Sequence, residues 1–226
     1  MLYPTHAIGG VLGAIPQHAT SVSCIGVPDR RGDGVFDREV SMFDNDVSNA
    51  IALFELDNGG AMRTSELRRV AYPSHLRESR FRFFSPERSF EQVATVSLLQ
   101  DRAGVEDVSD RLATAATMAL DDPRLAGVSE ALRDAFVSGT APVHNTARLP
   151  EAFAGLPNGH EGSHHFLVDD FAKAVANGGQ PAVNAWTAAR FTLPGIIAHQ
   201  SSRQCGERLP IPDHGDCPFP VRDEDS

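Results

Sequence analysis

Polar and apolar residues alternate most strictly over 78–84 (ESRFRFF), where Arg80 and Arg82 interleave with Phe81 and Phe83. That two-residue period belongs to a strand with one buried face and one wet face. Residues 19–27 (ATSVSCIGV) form a second run, β-branched and apolar, closed by Pro28. Two further strand-like runs, 49–57 (NAIALFELD) and 61–70 (AMRTSELRRV), flank Asn58-Gly59-Gly60, which is a strong hairpin signal. Ser85-Pro86-Glu87 then turns the chain into a strand near 89–99. Four or five antiparallel strands in succession predict one open sheet with helices covering one face, an α+β arrangement.

The helical pattern sits at the two ends. Residues 4–15 read as a short helix with Pro4 in its first turn. Gly9, Gly10 and Gly13 make it poor by propensity, so the helix is expected to pack closely against another element. Ser163 is a candidate N-cap for a helix to about 176, with Leu167, Phe171, Ala174 and Val175 as its apolar face and Gly178-Gly179 as its stop. Asn184 is placed to cap a last helix with Trp186, Leu193, Ile196 and Ile197 as core candidates; Pro194 is expected to kink or interrupt it, and Gly206 to end it. The segment 101–158, with Val128, Leu132 and Phe136 at helical spacing but with Pro142, Pro150 and Pro157 as well, reads as a variable insertion. The Pro-rich, acidic stretch 209–226 reads as extended over the surface.

Composition narrows the function classes. The chain of 226 residues is 41% hydrophobic, with a formal net charge of -10. Its mean hydropathy is -0.22 and its pI about 5.3. These values suit a folded globular protein and disfavour a nucleic-acid partner. No apolar run approaches the roughly 20 residues of a membrane-spanning helix, and no signal-peptide pattern opens the chain. Cys24, Cys205 and Cys217 are too few for a disulfide framework, so a cytoplasmic location is expected.

Histidines carry most of the candidate chemistry. HEGSH at 160–164 fits the H-E-x-x-H pattern of zinc proteases. That mechanism needs both histidines one helical turn apart, whereas Gly162 and Ser163 sit inside the motif and Ser163 reads as a helix start. A His- and Gly-rich loop entering a helix also suits a sugar or polyol pocket, because helix N-termini attract oxygen-rich ligands and neutral imidazoles both donate and accept. His160 and His164 are candidate contacts there, and no metal is assigned. His6, opening the Gly-rich helix, suits a general acid/base or the orientation of a hydroxyl. Polar groups also gather around Glu66, Arg68, Arg69, Tyr72 and His75. The chain has no Gly-x-Gly-x-x-Gly after a strand, no Walker motif and no nucleophile elbow.

Four stretches, taken in order, resemble one family. They are YPTH with the Gly-rich helix; FDNDVSNAIALFELDNGGAMRTSELRRV; SRFRFFSPERSFEQ; and the run from GHEGSHHFLVDDFAKAV through NAWTAARFTLPGIIAHQSS. Together the chain resembles the C-terminal domain of the glucose-fructose oxidoreductase / inositol dehydrogenase / rhizopine-catabolism (Gfo/Idh/MocA) oxidoreductases. The resemblance implies an open, mainly antiparallel sheet with helices packed on one face, like the C-terminal domain of glyceraldehyde-3-phosphate dehydrogenase, and with no Rossmann domain in this chain. By the same resemblance His6 matches the family's catalytic histidine, although Leu2, Pro4 and Gly9 stand where the family has Asp, Gly and Asp. His160 falls in a loop similar to one that lies near substrate in some members. The family's nucleotide-binding half, which holds NAD or NADP and supplies a catalytic lysine, has no counterpart here; Lys173 lies on an expected helix away from any pocket.

The resulting expectation is a domain over 1–215, with 101–158 as its insertion, followed by an acidic tail over 216–226. It is the substrate-side domain of an NAD(P)-dependent oxidoreductase acting on a sugar, cyclitol or related secondary alcohol. His6 is its catalytic residue, and Tyr3, Arg69, Tyr72, His160 and His164 are its substrate contacts. NAD or NADP serves the intact family enzyme and is not expected on this chain alone, which leaves its own catalytic competence open. The opening MLYPTH reads as the middle of a catalytic domain. The expected partners are a sugar-like small molecule and further copies of the chain through the open sheet, with no nucleic acid and no membrane. Two alternatives stay open: an NAD-dependent glycosidase of the same architecture, and a non-catalytic oligomerisation fragment.

Overall fold

Along residues 50–56 the odd positions face solvent and the even positions face a core. A computed structural model describes residues 5–41, 44–71, 79–93, 96–112, 121–127, 130, 133, 149–151 and 164–221. The chain falls into two compact units, Met1–Ala71 with Ala182–Pro220, and Tyr72–Pro181 with Val221–Ser226.

In the first unit a π-helical turn, Thr5–Gly9, runs into a short helix, α1 (Gly10–Leu12). Strands β1 (Ala19–Pro28), β2 (Val47–Leu56) and β3 (Ala61–Leu67) follow. The hairpin expected around Asn58-Gly59-Gly60 joins β2 to β3, with Gly59 in the left-handed region at φ 79°. The glycine is needed there because a side chain would strain that conformation. The two-residue period holds along β2: Ala50, Ala52, Phe54 and Leu56 are buried, while Ile51 and Leu53 are exposed.

The buried face is covered by the N-terminal turn and by a long helix. The turn packs on that helix and buries Ile8 and Leu12, while a Cβ at Gly9 would meet the Phe191 ring only in ordinary van der Waals contact, at 3.5 Å. The expected close packing of the Gly-rich segment is therefore present. The long helix spans Ala185–Arg203, and Asn184 caps it by accepting the Trp186 and Thr187 N–H groups. Pro194 does not interrupt it, contrary to expectation; the proline is fully buried, and packing offsets the lost backbone bond. The core side of this helix is made by Pro194, Gly195, Ala198 and Ser201 rather than by Ile196, which is 43% exposed. Small residues face the sheet because the helix lies close to it. Cys205 and Gly206 then take left-handed backbone conformations, and a two-residue strand, Leu209–Pro210, pairs with β1. The sheet order is β3-β2-β1 followed by that short strand.

The second unit holds β4 (Arg82–Phe84), β5 (Ser89–Val93), β6 (Val96–Gln100) and β7 (Val105–Asp107), an antiparallel meander in that order. Alternation again decides the faces: Phe81 and Phe83 are half-buried while Arg80 and Arg82 are exposed. These strands form a sheet of their own instead of extending the first, which corrects the single-sheet expectation. Each outer strand of the meander finds its hydrogen bonds locally, β4 on β5 and β7 on β6. After β7 come α2 (Ser109–Leu112), a 3-10 turn (Pro123–Leu125) and α3 (His164–Ala176); the helix Ala185–Arg203 is α4 and Leu209–Pro210 is β8. Helix α3 buries Phe166 and Ala174 but leaves Leu167, Phe171 and Val175 56–63% exposed, so most of its expected core face is uncovered. The expected cap Ser163 and the residues Val128, Leu132 and Phe136 lie outside the described residues. Among the described residues no helix is long and apolar enough to cross a membrane.

Ser201 is the tightest polar joint in the first unit. It is fully buried; its Oγ accepts the Cys24 N–H at 2.9 Å and donates to the Glu207 carbonyl at 2.6 Å. Ser201→Ala strands a buried donor and acceptor together, and the expected cost is about 2 kcal/mol, measured as a lower denaturant midpoint with an unchanged slope.

Candidate functional site

Three side chains proposed from sequence fall among the described residues. His6 is exposed on the Thr5–Gly9 turn. Isolated π-helical turns occur often at functional sites, because the extra residue re-aims a side chain. The turn packs against β3 and α4, and β3 is the strand that leads into Arg69. His164 is the exposed first residue of α3, in the other unit. Tyr3, Tyr72 and His160 lie outside the described residues, as do Glu161, Gly162 and Ser163 of the H-E-x-x-H pattern. Among the described residues no group of three His, Cys, Asp or Glu side chains gathers to hold a metal ion.

Arg69 is the best-defined member. Its guanidinium donates to Asp29 at 2.6 Å through Nε and to Asp33 at 2.7 Å through Nη2. The Phe36 ring lies 5.0 Å from the guanidinium carbon, within cation–π range. Asn49 Oδ1 accepts the Arg69 backbone N–H at 2.9 Å, fixing the chain as it leaves β3. The side chain is 17% exposed and the Asp29 carboxylate 5% exposed, so this pair is shielded from water far more than a surface ion pair.

Arg69 therefore clamps the long loop between β1 and β2. The loop is closed at its base by the Asp29 N–H on the Asp46 carbonyl at 2.6 Å. Arg38 binds Asp46 at 2.9 Å, and Arg203 from α4 binds Asp44 at 2.7 Å. The Arg31 backbone N–H is the main cause that holds the Asp29 carboxyl below the usual carboxylate range, with Arg69 adding to it. For Asp33 the Arg69 guanidinium is the main cause of the same downward direction. Both carboxylates are thus ionised and occupied at neutral pH, and the loop is held as one piece beside the end of β3.

Two further groups lie in this unit outside the site residues assigned from sequence. His199 on α4 buries both ring nitrogens without a hydrogen-bond partner among the described residues, and burial pushes its pKa below the ordinary imidazole value. Glu66 on β3 likewise buries Oε2 without a partner there. Glu66 was visible as part of a polar cluster at the strand end. Nothing in the run AHQSS marks His199 as inward-facing, because the helix is not amphipathic in the ordinary sense.

The described residues do not fit a dinucleotide. Both sheets are antiparallel, without the parallel βαβ unit that aims a helix N-terminus at a pyrophosphate. The N-terminus of α4, the longest described helix, is already occupied by the Asn184 side chain.

No family model matches the chain, and no curated protein does. Solved structures do. An oxidoreductase from Agrobacterium radiobacter, in complex with NAD+, L-tartaric acid and magnesium, matches 85% of this chain at a TM-score of 0.55 and 8% identity. A levoglucosan dehydrogenase in complex with NADH and levoglucosan matches 93% at 0.54 and 14% identity. UDP-N-acetylglucosamine 3-dehydrogenase from Acidithiobacillus ferrooxidans matches 90% at 0.51 and 14% identity. The chain has a fold found in oxidoreductases. It spans 43%, 49% and 47% of those three chains respectively, so under half of each.

Arg69→Ala is expected to release the loop. Limited proteolysis should cut first between residues 30 and 41, and the Asp29 and Asp33 carboxyl titrations, followed by NMR, should move up toward ordinary values. The sign for the unmodified protein follows from the same pairs. Carboxyls depressed in the folded state contribute stability above their unfolded pKa and lose it as pH falls through the folded value. Acidification below the usual carboxylate range should therefore loosen the loop of the unmodified chain and have less effect on the variant.

Proposed function

We propose that this chain is the substrate-side part of an NAD(P)-dependent oxidoreductase of the Gfo/Idh/MocA type, acting on a sugar, cyclitol or related secondary alcohol. The observation that carries this reading is the likeness in fold. It takes in 85–93% of this chain but under half of each of those three oxidoreductases, which is the relation of one half of a two-part enzyme to the whole. His6 takes or returns the hydroxyl proton, from an exposed π-helical turn held against β3 and α4. Arg69 holds the loop 29–46 beside the end of β3, and the family resemblance adds Tyr3, Arg69, Tyr72, His160 and His164 as candidate substrate contacts. NAD or NADP accepts the hydride when a nucleotide-binding half holds it; the residues of this chain handle only the alcohol and its proton.

Copies of the chain associate through the open face of the first sheet. Ile25, Val27, Ile51, Leu53 and Leu67 all lie on that face and are 44–69% exposed. The strand register sets Ile25 beside Ile51, with Val27 and Leu53 two residues farther along their own strands on the same face, so these four form one patch, bordered by Ser23, Asn49, Arg63 and Ser65. A contiguous apolar patch of this kind on a sheet face marks a protein contact.

Two experiments test these proposals. In a polypeptide extended by the sequence that precedes this one in its gene, NAD+ reduction is expected with one member of a polyol and sugar panel. His6→Asn should lower kcat by about 10²- to 10⁴-fold with NAD+ affinity retained. Failure of the extended polypeptide to bind NAD(P) overturns the oxidoreductase reading. For the sheet face, Leu53→Arg should convert the oligomer to a monomer in light scattering while leaving the circular dichroism unchanged; a monomeric parent chain overturns the proposal.

A further inference from the structure

Helix α4 meets the sheet through small residues, and one large polar side chain lies in the same contact. His199 follows the fully buried Ala198 and comes three residues before Ser202, which puts it on one side of the helix with Ser202. That side is seated on β1, because a Cβ built at Gly26 would lie 3.2 Å from the Ser202 Cβ. His199 as a whole is half-buried, yet both its ring nitrogens are sealed from water, and neither has a hydrogen-bond partner among the described residues.

A neutral imidazole carries one N–H and one lone pair. Leaving both unmade in a buried contact costs more than an apolar side chain of the same shape would. A proton on the ring raises that cost further, because it adds a second N–H with nothing to accept it and a charge with no counter-ion in contact.

The ionisable groups on the elements packed around the ring do not supply that counter-ion. Arg203, one turn farther along α4, carries the same sign of charge as an imidazolium and is engaged with Asp44 at 2.7 Å. Asp46, at the start of β2, has the opposite sign, but its carboxylate accepts from Arg38 at 2.9 Å. From β1 the ionisable side chain is Cys24, and burial pushes its thiol up, so it stays neutral. The N-terminal turn carries His6, which is exposed, and β8 carries no ionisable side chain. Burial is the main cause that holds the His199 imidazole below its ordinary value; the amino-terminal charge and Arg203 act in the same direction and Asp46 opposes them.

A neutral ring therefore fits the layer between α4 and β1, and a charged ring does not. What lies beside it is the Ser201 joint, two residues on, where Ser201 Oγ accepts the Cys24 N–H at 2.9 Å.

We infer that His199 is an acid-operated release for the end of α4: the neutral ring lets residues 198–203 lie on β1, and a proton on that ring frees them by opening the joint between Ser201 and Cys24. The direction follows from linkage. The open state takes up the proton more readily than the closed one, so closure is complete above the ordinary imidazole range and is lost as pH falls through that range. The first half of α4, with its Asn184 cap, carries no histidine and stays seated.

Two measurements on the full chain test the release. In an NMR titration the His199 ring is expected to take up its proton below the ordinary imidazole midpoint of about 6.5; a midpoint at or above that value overturns the inference. Hydrogen exchange, corrected for its intrinsic pH dependence, reads the joint: protection of the Cys24 amide is expected to fall about 3-fold or more between about pH 7.5 and about pH 5. Amides of the β2–β3 hairpin should keep their protection over the same range. His199→Leu, which puts an apolar group in place of both partnerless nitrogens, should keep the Cys24 amide protected at neutral pH and remove the pH dependence. A flat profile in the unmodified chain, an unchanged pH dependence in the variant, or a variant less protected at every pH overturns the inference. Equal changes at Cys24 and in the hairpin do so as well, because they report global stability and not a local release. If the variant does not fold, the titration and the Cys24 profile of the unmodified chain decide.

Discussion

The close approach of α4 to β1 is the contact on which the first unit depends. It requires small groups on both sides. Cys24, Gly26, Ala50 and Ala52 face the helix from the sheet, and Gly195, Ala198 and Ser201 face the sheet from the helix. A Cβ at Gly26 would lie 2.9 Å from a Val47 methyl carbon and 3.2 Å from the Ser202 Cβ, so even one methyl does not fit there without movement. Interiors packed to this density transmit any added volume directly into backbone shifts. Ser201 then ties the two elements with a hydroxyl that satisfies the Cys24 N–H, a donor on the β1 edge that would otherwise be buried without a partner.

Everything of functional interest in that unit is hung from this layer. The N-terminal turn with His6 lies against β3 and α4, with Ile8 fully buried beneath it. The loop of residues 29–46 is fastened to β3 by Arg69 and to α4 by Arg203. The segment 207–219 runs from the end of α4 back to β1, where β8 pairs with it and Arg190 and Arg208 hold it. Charged groups hold these segments and apolar groups hold the layer. The Arg69–Asp29 pair is shielded from water, whereas Arg203–Asp44 is exposed and worth little by itself.

Much of the layer was legible in the chain. Apolar, β-branched composition placed β1, Asn58-Gly59-Gly60 placed the hairpin with its two strand-like flanks, and Asn184 placed the start of α4, because each of these signals acts through neighbours in sequence. The site was less legible. His6 was singled out by its position before a Gly-rich helix. Arg69 was singled out as a polar group at a strand end, but its partners Asp29 and Asp33 lie 40 and 36 residues away. Arg208 reaches Ser21 and Glu55 from 187 and 153 residues away. Lone charged residues in loops carry no local mark of such pairing.

The sequence by itself determined the period of each element, the turns that end them and which side of each is apolar. It also carried the likeness to a family of oxidoreductases. Only the tertiary structure decided what covers each apolar side and which strands become neighbours. Helix α3 has the apolar stripe that its sequence promises, yet Leu167, Phe171 and Val175 remain exposed. The strands after residue 80 have the expected alternation, yet close into a meander of their own. A pattern along the chain records the preference of each face for water or for a core. The choice of partner is a competition among all the faces of the folded chain, and no local stretch contains its outcome.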